Sequence, residues 1–137
     1  MDACLGQYND STCTSAAAYE KILKLDKPNA TDYATDNVQR QFECQPDNLK
    51  TMKQYLPCMK TIAQHDVQDL LKCTNQLISD INGGVDVCKA YDSYITCSTN
   101  LYVTKCDAGI KNFICNLYET TVLFDANGYC DGKLQKC

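Results

Sequence analysis

Cysteine is the residue type whose number and spacing carry chemistry in this chain. There are eleven cysteines in 137 residues, about 8% of the total, a density typical of disulfide scaffolds. Zinc chemistry would bring close pairs such as C-x-x-C, with histidines to complete the shell. The chain has no C-x-x-C and a single histidine, His65, and its shortest cysteine interval is Cys130 to Cys137. The reading is therefore an oxidised, extracellular chain, in which Cys4, Cys13, Cys44, Cys58, Cys73, Cys88, Cys97, Cys106, Cys115, Cys130 and Cys137 form about five bridges. Each bridge should stabilise the fold by roughly 2–4 kcal/mol. An odd count leaves one thiol that is free, joins two chains as a covalent dimer, or lacks its partner. Cys137, at the chain end, is the natural suspect. Spacing alone does not say which cysteine bonds which.

The other constellation that invites chemistry is His65-Asp66. Secreted phospholipases A2 use a His-Asp pair on a disulfide-linked helix beside a glycine-rich calcium loop. Here Ala63-Gln64-His65-Asp66-Val67-Gln68 lacks flanking cysteines, and Gly83-Gly84 lies downstream. A polar helix face ahead of an apolar stripe explains the pair more simply. Cysteine-protease chemistry would need a free thiolate with His65 as base, and bridged cysteines do not supply one. A metal site would draw on Asp32, Asp36 and Asp66, whose spacing matches no calcium loop. The expectation is no catalytic residue, no metal site and no cofactor, hence no enzyme.

Four of the cysteines form a ladder. Cys88, Cys97, Cys106 and Cys115 recur with eight residues between neighbours. The intervening residues favour helix, with apolar positions at helical spacing. Nine residues of helix turn the chain by about two and a half revolutions and advance it by roughly 13 Å. Successive ladder cysteines on one unbroken helix then face opposite sides. They also stand beyond the Cα separation of about 7 Å that a disulfide tolerates. Each must therefore reach sideways to a different neighbour, which makes this helix central.

The elements that would supply those neighbours are helical too. A first helix runs through SAAAYEKILKL, with Ser11 or Thr12 as its cap and Ala18, Ile22 and Leu25 recurring at helical spacing. Asp26-Lys27-Pro28-Asn29 stops it. A second spans 31–44 with Tyr33, Val38 and Phe42 on its apolar side, and Pro46 starts a third over 48–56. Pro57 kinks or restarts the chain. Residues 59–81 carry the cleanest amphipathic pattern: Val67, Leu70, Leu71, Thr74, Leu77, Ile78 and Ile81, with Cys73 beside the stripe. Asn82-Gly83-Gly84 ends it. The ladder helix follows from Val85 or Asp86, Asp107-Ala108-Gly109 breaks it, and a last helix carries Ile110, Phe113, Ile114, Leu117 and Tyr118. The fold class is all-α: a disulfide-stapled bundle of five to seven helices in one domain, 1–137, with no sheet.

Composition narrows the function. A formal charge of −4 with interspersed signs offers no basic stripe for nucleic acid. There is no long apolar run for a membrane span. Met1-Asp2-Ala3 has neither a basic start nor a hydrophobic region, so the chain reads as a mature form with an added methionine. Asn9-Asp10-Ser11 and Asn29-Ala30-Thr31 are glycosylation sequons, the second in a loop. Of the nine tyrosines, Tyr91, Tyr94 and Tyr102 either line a ligand pocket or pack as core with their hydroxyls at its edge. The second reading is favoured.

The ladder, with Tyr91, Tyr94, Val103, Phe113 and Leu117 at their positions, resembles a nematode family of secreted domains with around a dozen cysteines. That resemblance covers 44–137 and implies an extracellular, helical protein without assigning a site. The chain is also similar to insect odorant-binding proteins, which are acidic, helical and disulfide-linked, with eight residues between their last two cysteines. Those proteins carry two cysteines three residues apart on one helix; here Asn48 stands where Cys44 would need that companion. Taken together, the sequence points to a secreted domain that binds another protein or a matrix component. A carrier of a small hydrophobic ligand, held in an interhelical cavity, is the alternative.

Overall fold

The computed structural model describes residues 14–137, and most of its helix ends can be traced to local signals. Helix α1, Ala16–Leu23, starts where the Ser15 hydroxyl accepts from the Ala18 N–H at 3.2 Å. Its cap is thus Ser15 and not Ser11 or Thr12, and it ends at Lys24 in the left-handed region, φ 54°. Helix α2, Lys27–Glu43, is capped by Asp26, which accepts from the Asn29 N–H at 3.0 Å, with Pro28 in the first turn. The segment read as a stop is therefore also a start. Asn29 lies in a helical turn, not in a loop.

Helix α3, Pro46–His65, runs straight through Pro57. Proline costs a helix one hydrogen bond. The residue four earlier, Lys53, whose carbonyl loses that bond, is exposed. The real break comes at Asp66, which closes α3 through its N–H to the Ile62 carbonyl and opens α4, Val67–Asn82. The single helix expected over 59–81 is thus two. Helix α4 ends in a Schellman motif. Gly84 sits at φ 82°, its N–H bonds the Ile81 carbonyl, and the Val85 N–H bonds the Asp80 carbonyl at 2.9 Å.

Helix α5, Val87–Lys105, is the ladder helix, with the Asp86 carboxylate capping Cys88 and Lys89 N–H groups. A short 3-10 turn, Ala108–Ile110, follows the bend at Cys106, and α6, Lys111–Asp125, completes the set. No strand occurs among the described residues.

The core lies where α3, α5 and α6 meet. Tyr55, Ile62, Tyr102, Ile110, Phe113, Ile114 and Leu117 form it, with Phe42 and Leu70 packed on its border. Ala30 and Ala34 are fully buried and let α2 lie close to α6. Side chains also tie these two helices: Thr35 donates to Asp125 at 2.9 Å and Gln39 to Thr121 at 3.2 Å. Of the tyrosines of α5 and α6, Tyr102 belongs to the core, Tyr118 packs against it, and Tyr91 and Tyr94 are half-buried outside that cluster. Tyr102 is buried, and Tyr94 meets Tyr118 edge-on at 5.4 Å between centroids. Burial, first of all, pushes the Tyr94, Tyr102 and Tyr118 phenols above their ordinary range.

The ladder bonds outward throughout. Cys88 joins Cys130, Cys97 joins Cys73 of α4, Cys106 joins Cys58 of α3, and Cys115 joins Cys137, with Cα separations of 5.4 to 5.9 Å. Cys44 is disulfide-bonded as well. All nine described cysteines are therefore bridged, and the odd thiol is none of them. Cys137 is not that thiol: the turns of residues 126–134 carry the tail back to α6.

Candidate interaction surfaces

His65 is exposed at the end of α3, while the Asp66 carboxylate accepts from Lys105 Nζ at 2.6 Å. That ion pair pins the α3–α4 corner to the end of α5. The Asp66 carboxylate, together with the Asp69 charge, holds the Lys105 ammonium above its usual range. Asp36 pairs with Arg40 at 2.7 Å. Among the described residues, no group of three or more His, Cys, Asp or Glu side chains could hold a metal ion. Asn29 is exposed, with its side-chain amide donating to Asp26 at 2.8 Å. Asn9, Cys4 and Cys13 lie outside the described residues.

A clamp closes the α3 side of the core. The Tyr55 hydroxyl donates to Asp107 at 2.7 Å, and the same carboxylate oxygen accepts from the Gly109 N–H at 2.6 Å. A Cβ on Gly109 would collide with the Tyr55 hydroxyl, so glycine is required for this approach. The hydrogen bond to Asp107 raises the Tyr55 phenol above its ordinary value. The clamp sits beside the Cys58–Cys106 bridge and explains why the ladder helix ends where it does.

Two clefts open on the surface. One, of about 260 Å³, lies between α5, the start of α6 and the C-terminal tail. It is open, and Asp92, Asn100, Lys111, Gln135 and Lys136 give it a polar lining beside the Cys115–Cys137 bridge. The other, of about 150 Å³, lies between α1 and α2 and is lined by Tyr19, Tyr33, Asp36, Asn37 and Arg40. The Tyr19 and Tyr33 rings meet at 5.7 Å. Ile22 and Leu23 stand three and four residues beyond Tyr19, on the same side of α1. Ile22 is 63%, Leu23 50% and Tyr33 53% exposed.

A second apolar surface lies on α4. Its stripe is not core: Val67, Leu71, Ile78 and Ile81 are all at least 40% exposed, and only Cys73 is buried. The helix packs edge-on against α5, on the side that carries the Cys73–Cys97 bridge. Sequence periodicity locates this stripe but does not say what covers it. No described helix is long and apolar enough to cross a membrane. Comparisons with protein-family models, with curated proteins and with solved structures find no match.

Proposed function

We propose that this chain is an extracellular binding protein that engages another protein through the α1–α2 face and carries out no catalysis. The observation that carries this reading is the exposed group of Ile22, Leu23 and Tyr33, next to half-buried Tyr19 and a shallow cleft that Tyr19, Tyr33 and the Arg40–Asp36 pair line. Tyrosine, large apolar side chains and arginine at one spot are what protein interfaces concentrate at their energetic centres. The dense bridging supports an oxidising, extracellular setting. A small-ligand carrier draws less support. Its cavity would be enclosed, apolar and roughly 300 Å³ or more, whereas these two clefts, among the described residues, are open and bordered in part by charged side chains.

The test is a binding screen against extracellular and matrix proteins, run with the wild type and with Ile22→Asp/Tyr33→Ala. Both side chains are more than half exposed, so the variant should keep its circular dichroism and melting temperature. Binding should weaken at least about tenfold, as for loss of interface hot spots. Equal binding by the two proteins, or a stoichiometric apolar ligand released from purified protein in native mass spectrometry, would overturn the reading.

A further inference from the structure

We infer that the cleft between α5, the start of α6 and the C-terminal tail is a binding site for a small organic anion, a carboxylate with a short apolar body. The site lies apart from the α1–α2 face and does not rest on it.

Two walls of the cleft come from an antiparallel helix pair. The short connection 106–110 turns the chain back, and Tyr94 meets Tyr118 across the pair. Lys111, at the start of α6, therefore stands level with Thr99 and Asn100 of α5. The third wall is the tail. It is fastened by the Cys115–Cys137 bridge and by the Gln135 N–H, which donates to Asp92 at 2.9 Å. The bridge brings Lys136 to the turn of α6 that follows Lys111. At about 260 Å³ the cleft falls just below the range of small-molecule sites, so its guest is small.

Charge sets the sign of that guest. The chain is acidic overall, at −4, yet Lys111 and Lys136 both line this one cleft. Both are exposed, and neither forms an ion pair among the described residues. The carboxylate that lines the cleft, Asp92, lies about 12 Å along α5 from Asn100. It is already engaged by the Gln135 N–H. The two ammonium groups and the Asn100 amide thus offer donors that no carboxylate of the described residues takes up.

A buried hydroxyl is the independent mark. Thr99 lines the same cleft and is 4% exposed, and its hydroxyl has no hydrogen-bond partner among the described residues. Ser98 carries the other hydroxyl of this kind, but the Tyr94 and Tyr118 hydroxyls lie beside it. A buried polar group left unmatched costs stability, and such groups are retained where a site uses them. A threonine on a helix has two χ1 positions open to it. A guest carboxylate gives the Thr99 hydroxyl an acceptor, while buried Ile95 and the disulfide offer a surface to the guest's apolar body.

Amide NMR on the oxidised, isotope-labelled chain at neutral pH tests this, with hexanoate as the probe and hexanamide as its uncharged match. Hexanoate should shift the amides of Asn100, Lys111, Cys115 and Lys136 saturably, with a Kd of about 0.1–5 mM. Hexanamide should bind at least about threefold more weakly. Lys111→Gln/Lys136→Gln should lose at least about threefold in affinity for hexanoate at an unchanged melting temperature. Thr99→Val removes the hydroxyl at nearly constant shape. It should weaken hexanoate binding about threefold or more, while the free chain melts no lower than wild type. No saturable shift up to about 50 mM hexanoate, equal binding of acid and amide, or wild-type affinity in both variants would overturn the inference.

Discussion

Helices α4 and α6 make opposite use of apolar residues. The pattern on α6 is the less regular of the two, yet Phe113, Ile114, Leu117 and Val122 are all buried there. On α4 the pattern is cleaner, but its apolar side chains stand largely in solvent and only Cys73 is enclosed. The difference lies in what surrounds each helix. Helix α6 is flanked by α2, α3 and α5, whereas α4 leans mainly on α5. Amphipathicity reports that one side of a helix is apolar. What covers that side is a separate matter, decided by topology.

The sharpest way to break this comparison is to truncate one isoleucine in each helix. Ile114 is fully buried, so Ile114→Ala should cost about 2–5 kcal/mol of unfolding free energy. Ile78 is 52% exposed, and Ile78→Ala should change stability by no more than about 0.5 kcal/mol in dilute solution. Denaturant unfolding with bridges intact measures both. Similar losses at the two sites would erase the distinction.

Removing the bridge that holds α4 should have the next largest effect. The Cys73–Cys97 disulfide closes a 24-residue separation, which the chain-entropy account values at about 3 kcal/mol. In Cys73→Ser/Cys97→Ser, amide hydrogens of α4 should exchange well before those of α5 and α6. Uniform loss of protection would show that α4 is integral to the core.

The smallest expected effect is on pH dependence, and it sharpens the contrast from the other side. Tyr102 is buried and Tyr94 and Tyr118 are half-buried where α5 meets α6, and their phenols ionise above the ordinary value of 10.0. Below that value both folded and unfolded chains are fully protonated at these sites, and the contribution is constant. Above it the unfolded chain loses protons that the folded chain retains, so stability falls as pH rises. Thermal melts should hold steady from neutral pH to about 10 and decline beyond it. Tyr118→Phe should flatten that decline.

Much of this architecture is legible in the residues themselves, because local chemistry decides it. Nine-residue spacing on one helix forbids a bond between Cys88 and Cys97, and both do reach outward, to Cys130 and Cys73. The Gly83-Gly84 stop and the break at Asp107–Gly109 likewise follow from their own residue types. The features that escape a sequence reading depend on distant partners. The corner at Asp66 carries no proline or glycine; Lys105, 39 residues away, fastens it. Pro57, a breaker by residue type, sits where the helix can spare the bond. Cys137 looks unpaired because it is terminal, and only the return of the tail to Cys115 shows otherwise. The α1–α2 face is hidden for the same reason. Ile22 belongs to an apolar helix side, but nothing in the spacing says that this side stays open. Asp26 followed by Pro28 is the one local signal that could have placed the start of α2 and the α1–α2 hairpin.

Outward bonding of α5 is the feature on which the rest depends, since it fixes the neighbours of that helix and leaves α4 tethered along one edge. Peptide mapping under non-reducing conditions tests it most directly. The account predicts cross-linked peptides joining Cys58 to Cys106, Cys73 to Cys97, Cys88 to Cys130, and Cys115 to Cys137. A bond between any two of Cys88, Cys97, Cys106 and Cys115, or a free thiol at Cys137, would contradict it.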